Sequence, residues 1–439
     1  MIQRRAFLRV TATVAVGFQI VPRHVLGQGL TPPSAKLNIA GIGIGGQGGG
    51  VLQDMKSENI VALCDVDWAK AAGTFNGFPK AERFKDYRVM LERRKDIEAV
   101  MVATPDHMHA PITLAALRAG KHVYVEKPMA HSIEEARLMT NVARETGLVT
   151  QMGNMGHAGE GLRLTREWLQ AGAIGPVRAV HGWSDRPGKW WPQPATRPTE
   201  RMPVPAGLDW DLWLGAAPER PYHRAYHPFA WRGWFDFGTG ALGDMAVHNL
   251  DPAFYALELG APTIAEARTS GLGTETYAAW QIITFSFPAR GAQPSVIMTW
   301  WDGGKRPAKL KDLADEVDLP DNGILFLGDQ GTILCGGWSG PPQLFPAARR
   351  AAFRLPAKTI PRSIGHRPEW IQACKDRKPQ DAKAGFPYSG PFTEALLVGN
   401  LASRLQKPIE WDAVAMRASN APEADRLIRK QYRAGFGIA

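Results

Sequence analysis

At 439 residues the chain exceeds what one hydrophobic core organises, so two domains with appendages are expected. Hydrophobic residues at 44% and charged residues at 21% describe an ordinary globular composition and exclude a disordered or fibrous chain. A net charge of +10 invites nucleic acid as a partner, but Arg4, Arg5, Arg9 and Arg23 all precede the first predicted strand and no basic stripe follows. No nucleic-acid partner is therefore expected. Cys64, Cys335 and Cys374 lack metal-ligand spacing, so no metal site is expected and buried apolar thiols are. A Cys335–Cys374 disulfide stays open as an alternative.

The N-terminus, Gln3-Arg4-Arg5-Ala6-Phe7-Leu8-Arg9, runs into the apolar stretch Val10–Val21 and resembles a twin-arginine export signal. That stretch is too short to span a bilayer. Residues 1–30 are thus expected to be a leader and linker, with a disordered basic arm as the competing reading. The predicted location is the periplasm, with no integral membrane span.

From residue 36 to about 150 the pattern predicts a dinucleotide-binding domain. Leu37–Ile42 is a short apolar strand that runs into Gly43-Ile44-Gly45-Gly46-Gln47-Gly48. Glycines there let the backbone approach a pyrophosphate at the start of the next helix. A second strand, Ile60–Cys64, ends on Asp65, where a carboxylate accepts from ribose hydroxyls and repels a 2′-phosphate. NAD is the expected cofactor, and Lys70 keeps NADP open. A third strand, Ile97–Ala103, ends on Thr104-Pro105, and a helix from Pro111 to Ala119 leads to the strand His122–Glu126 and Lys127. Ligands of such sheets sit at strand C-termini, which selects Thr104, Pro105 and Lys127. Ser132 and Glu135 form a capping box that starts a helix stopping at Gly147.

Four groups of residues together carry a family resemblance. They are Gly43-x-Gly45-Gly46-x-Gly48, Ala103-Thr104-Pro105-x-x-x-His109, Gly120-Lys121-His122-Val123-x-x-Glu126-Lys127-Pro128 and Gly243-Asp244-x-x-x-His248. The chain is similar to the Gfo/Idh/MocA oxidoreductases over about residues 36 to 410. The resemblance implies an α/β protein: an N-terminal Rossmann domain, then a C-terminal α/β domain (151–410) with a large open, mostly antiparallel sheet. It further implies NAD(P), a sugar or polyol substrate, and self-association as a homo-oligomer. One branch of the family hydrolyses glycosides through a transient oxidation and tends to lack the lysine of Glu-Lys-Pro. Lys127 is present here, which tilts the reading towards a dehydrogenase.

In the second domain, Gln151–His157 is expected to face the nicotinamide, with Asn154 on the cofactor. A helix (Gly159–Ala171) and a strand (Val177–Ser184) precede an aromatic loop from Asp185 to about Trp231. A loop of that length is functional or disordered, and its tryptophans argue against disorder. Trp190 and Trp191 are read either as a sugar platform or as pins that hold the loop. A helix from Ala241 to Leu259 then places Asp244 and His248 four residues apart on one face. Histidine titrates near neutrality, so His248 is assigned as the base. Asp244 orients it or binds a substrate hydroxyl, and Lys127 stabilises the developing alkoxide. Glu126 and His109 go to the cofactor side, and His157 and Arg232 to the substrate. Strands at Thr263–Ser270, Trp280–Phe287 and Ser295–Trp301 follow, with Trp300 and Trp301 placed towards a partner subunit. A hairpin around Gly328–Gly331, helices at Pro368–Asp376 and Gly390–Leu405, and a tail (411–439) complete the chain.

The sequence therefore predicts an NAD-dependent oxidation of a secondary hydroxyl of a sugar or glycoside, with C3 among the candidate positions. The alternatives are a hydrolase or lyase that recycles NAD through a keto intermediate, and a non-catalytic binding protein.

Overall fold

Apolar runs too short for helices, separated by amphipathic stretches, fold as a parallel sheet. β1 (Asn38–Ile42), β2 (Asn59–Cys64), β3 (Glu82–Phe84), β4 (Ala99–Val102), β5 (His122–Val125) and β6 (Thr150–Met152) pair in the order β3-β2-β1-β4-β5-β6. Every pairing in it is parallel. The computed structural model describes residues 32, 35–308, 313 and 317–438, so the predicted leader lies outside the described residues.

Strand alternation gives this sheet two cores. Ala40, Ile42, Val100 and Val102 face α3 (Tyr87–Arg93), α4 (His109–Arg118) and α5 (Ile133–Thr146). Ile39, Leu63, Ala99 and Met101 face α1 (Gln47–Asp54) and α2 (Trp68–Gly77). The strand order reverses between β1 and β4, which opens a crevice at their C-terminal ends. The predicted capping box is present: Ser132 Oγ accepts the Glu135 N–H at 3.3 Å while Glu135 accepts the Ser132 N–H at 3.0 Å. Gly147 closes α5 at φ 63°.

After α6 (Glu160–Gln170) the chain builds a nine-stranded sheet from β7 (Val177–Trp183), β8 (Ile264–Thr269), β9 (Gln281–Phe287), β10 (Val296–Trp301), β11 (Gly323–Gly328), β12 (Gly331–Gly336), β13 (Pro342–Phe345), β14 (Ile409–Asp412) and β15 (Arg417–Ala418). The order is β13-β12-β11-β7-β10-β9-β8-β14-β15, and β7–β10 is its parallel pair. The predicted hairpin sits in register, Gly328 opposite Gly331. The helix Phe386–Leu405 packs between α5 and β8–β9, joining the two sheets.

Three expectations are corrected. Trp300 does not face outward: with Val296 and Met298 it occupies the inward phase of β10, fully buried, and its indole N–H donates to Asp302 at 3.1 Å. Ile297, in the outward phase, is exposed. The helix His366–Asp376 belongs to the first domain's core, with Trp370 packed edge-on 5.7 Å from Tyr124. The tail supplies β15 and carries Phe436 to the crevice. Finally, the expected continuous helix Ala241–Leu259 is broken. Leu242–Ala246 form a π turn, Val247–Asn249 an α turn, and the helix restarts over Asp251–Leu257 with Pro252 in its first turn, where a missing N–H costs nothing.

The three cysteines are buried and free. Among the described residues no helix is long and apolar enough to cross a membrane.

Candidate active site

The crevice is a cleft of about 380 Å³ lined by the first glycine turn and by the ends of β2, β4 and β5. Its residues fit a dinucleotide on three counts. Gly43 sits at φ +78° with its Cβ position 2.6 Å from Thr104 N, and a Cβ on Gly48 would lie 2.3 Å from Gly43 O, so only glycines allow the turn to close. A Cβ on Gly46, by contrast, meets nothing, so that side of the turn opens onto the cleft, and no side chain caps the N-terminus of α1. The Gly49 N–H turns back to the Gly46 carbonyl at 3.1 Å, and the Gln47 and Gly48 N–H groups are left for an anion. Thr104 Oγ1, also in the lining, is buried without a partner. Gly43, Gly45, Gly46, Gln47, Asp65, Thr104, Pro105, Glu126 and Lys127 all line the cleft, and they are the residues that would hold NAD. Asp65 accepts the N–H groups of Gly45 and Asp67, each at 2.8 Å; burial pushes its pKa up to about 6 against those two bonds. Its remaining lone pairs face the cleft, where a 2′-phosphate would meet a carboxylate.

At the end of β5, Lys127 Nζ donates to Asp244 Oδ1 at 2.9 Å and to the Asp244 carbonyl at 2.7 Å. Two arginines converge on the same carboxylate, Arg186 Nη1 at 2.5 Å from Oδ2 and Arg232 Nε at 3.4 Å from Oδ1. Burial alone would raise the Asp244 pKa, but Lys127, Arg232 and Arg186 outweigh it and hold the carboxyl well below its usual range.

One turn further on, His248 Nδ1 lies 2.8 Å from Asn154 Oδ1. The amide orientation follows from its other end, since Asn154 Nδ2 donates to the Val247 carbonyl at 3.0 Å. Nδ1 must therefore carry the ring proton, which leaves Nε2 as a lone pair. Burial first, then the Lys127 charge, push the His248 pKa well below its ordinary value, so the ring is a neutral base. Trp338, 43% exposed and held at φ 55°, sits with its ring 6.0 Å from that of His248. A bulky residue in the left-handed region is strained, and such strain concentrates at functional sites.

Several expected residues sit elsewhere than the sequence placed them. Asn154 is fully buried and orients His248, one of the two roles first offered for Asp244. The reason is the π turn, which inserts a residue into the helix and turns Asp244 towards Lys127 and the arginines. His109 is outside the cleft lining, its ring nitrogens 2.8 Å from the Thr104 and Pro128 carbonyls. His157 is buried against Asp251, Tyr255 and Tyr388. Trp191 is buried with its N–H on Gln193, a pin; Trp190 is exposed and covers the Arg186 guanidinium at 4.2 Å. Gly48 closes the turn and Arg232 lines the cleft. The sequence reading missed Arg186, and it missed that Trp213, His227 and Phe229 of the aromatic loop wall the cleft. The density of tryptophans between 185 and 231 was the available signal.

Two domain models of one family match the chain. Residues 36–154 match its oxidoreductase NAD-binding Rossmann fold, and residues 184–299 its C-terminal alpha/beta domain. The chain belongs to the Gfo/Idh/MocA oxidoreductase family. Levoglucosan dehydrogenase of Pseudarthrobacter phenanthrenivorans is 27% identical over 201 residues, 45% of this chain and 41% of that one. Inositol 2-dehydrogenase of Rubrobacter xylanophilus is 32% identical over 160 residues, 34% of this chain and 44% of that one. The matched stretch thus spans less than half the length of these curated relatives. A solved aldose-aldose oxidoreductase from Caulobacter crescentus superposes with a TM-score of 0.54 at 18% identity, covering 86% of this chain and 100% of that one, a likeness of fold.

Proposed function

We propose that the protein is an NAD-dependent dehydrogenase that oxidises a secondary hydroxyl of a sugar or polyol. The observation that carries this reading is the neutral His248, with Nε2 free, one turn from the Lys127–Asp244 pair at a dinucleotide cleft. His248 Nε2 takes the hydroxyl proton. The Lys127 ammonium donates to the same oxygen as negative charge grows there, and Asp244 holds the ammonium in place. Bound NAD supplies the acceptor for the hydride that the carbon loses. The sugar and polyol dehydrogenases among the relatives support the substrate class.

The test is the absorbance of reduced nicotinamide as purified protein meets NAD and a panel of monosaccharides and aryl glycosides. Many turnovers of free NAD are expected. Reduced cofactor that stops at one equivalent per protein, with release of the aglycone, would replace this reading with redox-assisted hydrolysis.

Export through the Arg4-Arg5 leader, and self-association through the face of the second sheet that exposes Ile264 and Ile297, belong to the same proposal. Cell fractionation followed by light scattering checks both. Cytosolic protein would remove the first, and a monomer mass the second.

A further inference from the structure

Around Asp244 the charges do not balance. Lys127, Arg186 and Arg232 place three cations on one carboxylate, and all three have side chains less than a quarter exposed, at 18%, 16% and 23%. The neighbouring acids offset the surplus only in part, Asp106 through Arg232 and Lys127 and Glu126 through Lys127. Asp106 accepts the Thr239 N–H at 3.1 Å and its hydroxyl at 2.7 Å, Glu126 accepts the Tyr124 hydroxyl at 3.3 Å, and Asp185 accepts from Trp190 Nε1 at 3.3 Å and Asn322 Nδ2 at 3.1 Å. Burial shifts both Asp106 and Glu126 towards their neutral forms.

The guanidiniums also have donors to spare. Among the described residues, Arg186 makes its one side-chain hydrogen bond through Nη1, to Asp244. Arg232 uses Nη1 on the Phe229 carbonyl at 3.0 Å and Nε on Asp244, which leaves Nη2. Aromatic rings lie against both heads, Trp190 at 4.2 Å from Arg186, and Phe229 at 4.1 Å and Trp231 at 4.3 Å from Arg232. Arg186 keeps Nε and Nη2, a fork that suits an oxyanion, and Arg232 adds Nη2 as a single further donor; a mostly dehydrated surplus of positive charge is costly without an anion. The nicotinamide ring of oxidised NAD would add a further positive charge to the same site.

We propose that the substrate is an acidic sugar, whose carboxylate or phosphate oxygens seat on Arg186 and Arg232 while its reacting hydroxyl meets Lys127 and His248. Neutral hexoses and polyols satisfy the hydroxyl contacts but leave the two guanidiniums sharing the Asp244 carboxylate with Lys127. The proposal rests on the dehydrogenase reading above and deepens it by naming the substrate class.

The experiment compares NADH formation from a hexuronate, an aldonate, a hexose 6-phosphate and the neutral hexose, at low and high salt. At least a 100-fold higher kcat/KM is expected for one acidic class, shrinking as salt rises; uronate or aldonate against phosphate ester decides which oxyanion is used. Arg232→Met should raise KM for the acidic substrate at least 10-fold more than for the neutral sugar, and Arg232→Lys should recover part of that difference. Calorimetric titration of NADH-loaded protein with the acidic sugar gives the same comparison without turnover. Equal or better use of the neutral hexose, or an Arg232→Met change that falls equally on both sugars, would overturn the proposal and leave the dehydrogenase intact. If no sugar yields NADH, the dehydrogenase reading fails, and the titration alone then decides whether the oxyanion site exists.

Discussion

Replacing His248 with Asn should lower kcat by about 10²- to 10⁴-fold, the usual worth of a positioned general base, while the affinity for NADH stays within a few-fold of the parent. The argument is one of tautomers. The Val247 carbonyl fixes the Asn154 amide, the amide oxygen fixes the proton on Nδ1, and Nε2 is left with the lone pair. Because burial and the Lys127 charge depress the His248 pKa, the ring stays neutral through the range where histidine ordinarily protonates. The acid limb of the kcat/KM profile should therefore lie below pH ~6.5. Asn154→Asp puts a carboxylate on Nδ1, stabilises the imidazolium and moves that limb upward. An Asn154→Asp enzyme with an unchanged limb, or a His248→Asn enzyme with more than a tenth of the parent rate, would end the assignment.

How much of this was legible in the chain depends on the reach of each signal. The turn at Gly43–Gly48, the capping box at Ser132 and Glu135 and the hairpin at Gly328–Gly331 are written within a few residues, and all three form as read. Lys127 and Thr104 were placed by a rule about strand ends, which holds wherever the strand is recognised. What escaped is long-range. Arg186 meets Asp244 across 58 positions, and no periodicity carries that contact. Trp370 enters the first domain's core from beyond β13 in sequence. The pairing of Asp244 with His248 failed for a different reason. Spacing of four implies contact only if the helix keeps 3.6 residues per turn, and the π turn at Leu242–Ala246 does not. Asp244 was freed for the cations, and Asn154 took over the imidazole. Local rules located the site, and the tertiary fold reassigned two of its roles.

Lys127→Met should lower kcat by about 10²- to 10³-fold, the cost of one preorganised donor at a developing oxyanion, and change stability little. Asp244→Asn should do both kinds of damage. In Lys127→Met the buried carboxylate keeps Arg186 and Arg232, so no charge is stranded. In Asp244→Asn three cations lose their shared anion in a water-poor site, and stranding buried charge of this kind costs about 3–5 kcal/mol. The pH dependence carries the same sign. Asp244 has a folded pKa held below its unfolded value, chiefly by Lys127 and the arginines against burial, so its contribution is present above pH ~4 and fades as pH falls towards the folded pKa. Urea denaturation at pH 7 and at pH 3 separates the variants. Asp244→Asn should be much weaker than the parent at pH 7 and closer to it at pH 3, whereas Lys127→Met, which keeps two of the three cations on the carboxylate, should lose much less than Asp244→Asn at pH 7. If Lys127→Met proved as unstable as Asp244→Asn, the lysine would be a structural counter-ion of the aspartate, and its loss of rate would say nothing about the alkoxide.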